Sequence, residues 1–177
     1  MKSQTMARLM LGGMLAFALI FGAGMYYTQV YAYYNRLTPE EIGPVTLLRN
    51  DGTAAELSVT ALQAIDSNSS PLRFRACFAA TTPPVEIAAN FAPYPGATPL
   101  VGPGWFDCFN AREIGEALEA GAAQAYLWQE NVHYGIDRVV AVMPDGRAYA
   151  WNQMNRCGEV VYDGEAAPED CPPAPEV

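Results

Sequence analysis

The chain has 177 residues, 51% of them apolar, with a formal charge of −9; that is one folded domain plus an appendage, neither disordered nor fibrous. Lys2 and Arg8 stand without acidic neighbours at the front, whereas from Tyr33 onward eight arginines meet 19 Asp and Glu, a balance of −11. The body is therefore expected to bind neither nucleic acid nor an anionic lipid surface, because both demand basic patches.

No charge lies between Arg8 and Arg36. Leu9 to Val30, as a helix, would span ~33 Å, about the thickness of a bilayer's hydrocarbon core. Tyr27, Tyr31 and Tyr34 share one helical face at its far end, where tyrosine rings suit the headgroup boundary. A cleavable signal would carry a shorter apolar run, ~7–15 residues, so a retained single span over 9–32 is expected in the lipid bilayer, with residues 1–8 cytoplasmic. Gly12, Ala16, Ala23 and Gly24 form a small-residue stripe along nearly one face, which lets a second helix approach closely or reflects ordinary membrane-helix composition.

Residues 33–44 read as a linker, with two prolines and Glu40-Glu41. Val45–Arg49 before Asn50-Asp51-Gly52 reads as a strand entering a hairpin turn. Val59–Ile65 is expected to be a short helix. Leu72–Phe78 alternates in the manner of a half-buried strand, with Arg73, Arg75 and Cys77 on one side. Thr81–Gly104, with six prolines, reads as loop. Asn110 caps a helix, with Glu113 in capping-box position and Gly121 at its end. Ala125–Gln129 is a strand, followed by a polar loop containing His133. Ile136–Met143, Pro144-Asp145-Gly146 and Arg147–Gln153 form the clearest hairpin. A Pro-rich acidic tail runs over 166–177. The sum is an α+β domain over 45–165, an antiparallel sheet with one or two helices on it.

Four cysteines without a C-x-x-C pair read as two structural disulfides in an oxidising compartment. Three pairings are possible; Cys77–Cys108 and Cys157–Cys171 are favoured because sequential pairing closes two short loops. With Lys2, Arg8 and the amino terminus on the cytoplasmic side, the body lies outside. A soft-metal site would want paired thiolates, and His133 is a lone imidazole, so no metal and no cofactor are expected. Arg73 and Arg75, two residues apart, could clamp a carboxylate of a ligand or partner, or lie on a solvated sheet face. No phosphate loop, dinucleotide fingerprint or zinc-protease helix is present.

Phe74-Arg75-Ala76-Cys77-Phe78, Gly104-Trp105-Phe106-Asp107-Cys108-Phe109 and the block from Tyr134-Gly135-Ile136-Asp137-Arg138 through Asn155-Arg156-Cys157-Gly158-Glu159 resemble an uncharacterised family of single-span proteins. It belongs to alphaproteobacteria of the Rhodobacter and Paracoccus group, and its members are sometimes labelled histidine kinase. The sequence lacks the Gly-rich ATP-binding elements that label requires. The resemblance implies a Gram-negative inner membrane with the body in the periplasm, and it transfers no catalytic residue. The leading expectation is a non-enzymatic accessory or assembly subunit of a larger membrane protein complex, with a respiratory complex as the host guessed. The alternatives are a periplasmic ligand-binding or sensing domain and an envelope assembly or copper-handling factor.

Overall fold

In a computed structural model, which describes residues 2–174, the first 34 residues and the remainder of the chain form two separate units. The first unit is helix α1 (Lys2–Tyr27), continued by a π-helical turn over Thr28–Ala32. Gln4–Ala32 is long and apolar enough to cross a membrane, with a mean hydropathy of 1.9. Along it Gly12 and Gly24 have open space where a side chain would stand. Tyr27 stacks on Tyr31 at 5.9 Å, which sets two rings of the collar side by side.

The second unit is built on a six-stranded antiparallel sheet. Its strands are β1 (Asn35–Leu37), β4 (Val59–Asp66), β5 (Arg75–Ala80), β6 (Gln124–His133), β7 (Ile136–Val142) and β8 (Arg147–Met154), in the spatial order β1-β4-β5-β8-β7-β6. A separate hairpin of β2 (Thr46–Leu48) and β3 (Ala54–Glu56) turns at Asn50-Asp51-Gly52. Helices α2 (Pro39–Ile42), α3 (Pro84–Asn90), α4 (Ala111–Glu119) and α5 (Arg156–Tyr162) complete it. The α+β architecture with an antiparallel sheet is thus observed.

Both faces of the sheet are covered. On one face Ala64, Ala76, Ala150, Val140 and Tyr126 align across five strands. The three alanines leave room for Leu47, Ile87 and Phe91 of the overlying hairpin and of the α3 segment to join one buried cluster, each such side chain contributing ~1.5–3 kcal/mol on burial. On the opposite face Ile65, Arg75, Trp151, Val139 and Leu127 align, beneath Phe109, whose ring meets those of Tyr149 and Trp151 edge-on.

Four local expectations change. The supposed linker contains β1, paired with β4, and α2, started by a complete Thr38–Glu41 capping box with Pro39 at its first position; Ile42 at its end is buried in the core. Val59–Ile65 is strand, not helix. Val59, Thr60 and Ile65 are β-branched and β4 pairs on both sides, while a bulge with Ala61 at φ 54° breaks the two-residue alternation that marks a strand. Within the proline-rich 81–104 stretch, Pro83 and Pro84 start α3, where a missing N–H costs nothing. Finally, β6 runs through His133, so the polar loop shrinks to Tyr134-Gly135.

Candidate functional site

The two disulfides join Cys77 to Cys108 and Cys157 to Cys171, and there is no free cysteine among the described residues. All four cysteines are thus paired. The first bridge ties β5 to the segment before α4. The second ties α5 to the tail, which is held further by an Arg156–Asp170 ion pair and by the Tyr134 hydroxyl donating to Pro172 O at 2.9 Å.

The Arg73–Arg75 clamp is not formed. Arg73 precedes the strand, its N–H closing a turn onto Ser70 O. Arg75 lies within β5, 3% exposed, in the middle of the apolar row described above. Its Nε donates to Leu100 O at 2.8 Å, Nη1 to Leu72 O at 2.8 Å and Phe74 O at 2.6 Å, and Nη2 to Val101 O at 3.0 Å. The guanidinium is thus committed to backbone carbonyls and fastens the 99–102 segment to the sheet. The alternating pattern misled because both phases of this strand are buried.

A different arginine lines a cleft. Arg138 falls on the β7 phase of Ile136, Val140 and Val142, the face that packs into the core, where its row is Gln129, Arg138 and Asn152. Its guanidinium carbon lies 3.6 Å from the centre of the Phe74 ring and 5.3 Å from that of Trp128, so two aromatic rings hold the cation from behind. Nε donates to Asn152 Oδ1 at 3.0 Å. Among the described residues, Nη1 and Nη2 have no protein acceptor, and Arg138 lines a cleft of ≈590 Å³. Burial draws its pKa down to about 10, against the opposing pull of Asp66.

The rest of the cleft mixes polar groups with the apolar side chains of Leu37, Pro71 and Val132. Asp66 ends β4 opposite Asn35 of β1, and the loop Ser67–Pro71 forms one wall. Asn152, 2% exposed, accepts from Arg138 and donates to Pro71 O at 2.7 Å, so one amide orients the arginine and pins that wall. Asp66 Oδ1 accepts from Ser67 N at 2.7 Å. Burial pushes the Asp66 carboxyl pKa up, opposed by its bond to Ser67 N and by the charge of Arg138. His133 and Gln129 stand on the β6 side.

A network at the start of β7 holds this end of the sheet in shape. Buried Asp137 accepts from the Tyr94 hydroxyl at 2.9 Å, from Asn131 N at 3.0 Å and from Asn155 Nδ2 at 2.8 Å. Burial, then the Asp137 charge, pushes the Tyr94 hydroxyl pKa up, so it stays a donor. Asn131, in the left-handed region at φ 48°, caps the turn by accepting from Gly135 N. Gly135 and Gly158 press backbone to backbone, where a Cβ on either would overlap the other. This contact seats α5 against the turn that carries His133.

Two other concavities offer less. The ≈550 Å³ groove between α4 and the 93–99 segment is lined largely by Ala, Gly and Pro. The ≈460 Å³ one beside the Cys77–Cys108 bridge contains Arg147, already engaged by Asp145, Glu113 and Tyr149.

Residues 45–172 match a family of unknown function, DUF6446. The chain belongs to that family. No curated protein and no solved structure matches it. The DUF6446 region contains both disulfides and the two central charges of the cleft, Asp66 and Arg138, while Asn35 and Leu37, on its β1 side, lie just ahead of it.

Sequence reasoning passed over Arg138, Asp66 and Asn152. The signal was present for Arg138: it interrupts the core-facing phase of the most legible strand, and an arginine there needs either an internal partner or a ligand.

Proposed function

We propose that the protein is a membrane-anchored binding protein, not an enzyme, whose extracytoplasmic domain captures a small carboxylate-bearing ligand on Arg138. The observation that carries this reading is a guanidinium stacked on Phe74 that gives one hydrogen bond to the protein, through Nε, and lines the same cleft as Asp66. Planar paired donors match a carboxylate bidentately. The cleft's volume falls within the ~300–1,000 Å³ range of small-molecule sites. Two disulfides support an oxidising compartment, and the charges flanking α1 favour an inner-membrane anchor with the domain in the periplasm.

The test is a titration of the full-length protein in mild detergent with a library of small carboxylates, read by tryptophan fluorescence, since Trp128 lies beside Arg138. Saturable binding that Arg138→Gln removes is expected; absence of binding by every carboxylate at millimolar concentration would overturn the reading.

A second role is compatible with the first: α1 packing on a larger membrane complex, a respiratory one included. The open stripe through Gly12 and Gly24 supports it. Mild-detergent purification from native membranes should then recover stoichiometric membrane partners, and recovery of the protein alone would discard it.

A further inference from the structure

Resting on that reading of the cleft, we infer that its ligand is a zwitterion, a small free amino acid or a close analogue, held with its carboxylate on Arg138 and its ammonium on Asp66. Both charged groups line the same cleft. Neither takes part in an ion pair among the described residues, although each lies within reach of the other's charge. Each is instead held back by neutral groups: Arg138 through Nε to Asn152, and Asp66 through Oδ1 to Ser67 N. Asp66 Oδ2 and both terminal nitrogens of Arg138 then remain for a ligand.

Complementarity selects among ligand classes. A simple anion on Arg138 would be brought toward the Asp66 carboxylate, and a simple cation on Asp66 toward the guanidinium. Each would gain one contact and suffer one repulsion in a partly desolvated place, where charges count for more than in water. A phosphate dianion is disfavoured further, since Arg138 is the only Lys or Arg lining the cleft. A ligand with opposite charges a few bonds apart satisfies both groups. Asn35, Asn68 and Gln129 add neutral polar groups to the lining, beside His133 and the apolar Leu37 and Val132.

The discriminating experiment pairs each amino acid with its des-amino acid, alanine with propionate for example. Calorimetry on the full-length protein in detergent gives the affinities. At least one amino acid should bind ten-fold or more tightly than its des-amino partner. Asp66→Asn, nearly isosteric, should shrink that ratio below three-fold while carboxylate binding persists. Equal affinity within pairs, or an unchanged ratio in Asp66→Asn, overturns the zwitterion inference and leaves the cleft reading standing. Binding by neither class overturns both. Should Asp66→Asn fail to fold, the wild-type ratio decides alone.

Discussion

Arg75 and Arg138 sit on neighbouring rows of one sheet, on opposite faces, each against aromatic rings, and their fates differ. Around Arg75 the chain supplies carbonyls from both the strand approach and the 99–102 segment, so the guanidinium is consumed in holding two pieces of backbone together. Around Arg138 it supplies one amide and two rings, and the residue lines a cleft. The same side chain is a rivet on one face and lines a cleft on the other. What decides is the overlying layer: on the Arg75 face it comes down as bare backbone, while on the Arg138 face it stops short.

The comparison breaks most directly at Arg75. Arg75→Gln should cost about 3–5 kcal/mol in urea denaturation, since buried carbonyls lose their donors together. Replacing Cys77 and Cys108 by serine should cost ~3–4 kcal/mol from loop entropy. Because Leu100 and Val101, the acceptors of Arg75, lie within the loop that this bridge closes, its loss should be non-additive with Arg75→Gln and additive with Arg138→Gln, as a double-mutant cycle would reveal. Arg138→Met should change apo stability by less than about 1 kcal/mol, or raise it, because an under-partnered cation is removed from an aromatic setting; a loss above ~2 kcal/mol would make Arg138 a structural residue like Arg75.

The smallest effect concerns Asp66. Its folded pKa lies above the ordinary 3.8, so the protonated form is favoured in the native state. Its contribution to stability is present below that ordinary value and is lost as pH rises through the raised one. Asp66→Asn should therefore stabilise the protein modestly at neutral pH, by under ~1 kcal/mol, and leave it unchanged near pH 3. Melting temperatures at the two pH values check the sign.

Local signals carried the hairpin of β7 and β8, whose Gly146 takes φ 86° as its turn requires. They also carried α4, whose Asn110 accepts from Arg112 N and Glu113 N, and the apolar span of α1. They failed where one strong feature masked another. Prolines concealed α3, although Pro83-Pro84 is itself a helix start. The bulge at Ala61 conceals β4, and the prolines and charges around Thr38–Glu41 conceal a complete capping box. In the site, Arg75 attracted attention as one of a pair, and Arg138 escaped it because one charge in an apolar run looks like ordinary alternation.

By itself the sequence determined the properties that follow from composition and short range: an apolar helix of membrane length, an acidic body, four cysteines for two bridges, and strands announced by turn chemistry. Which arginine is consumed by backbone carbonyls and which lines a cleft was decided only by the tertiary structure. That outcome depends on how many backbone acceptors arrive from segments 25 or more residues away, as Leu100 and Val101 do for Arg75 and not for Arg138. Side-chain chemistry is written locally; whether a charge is spent inside the protein or left for a ligand is settled by what packs above it.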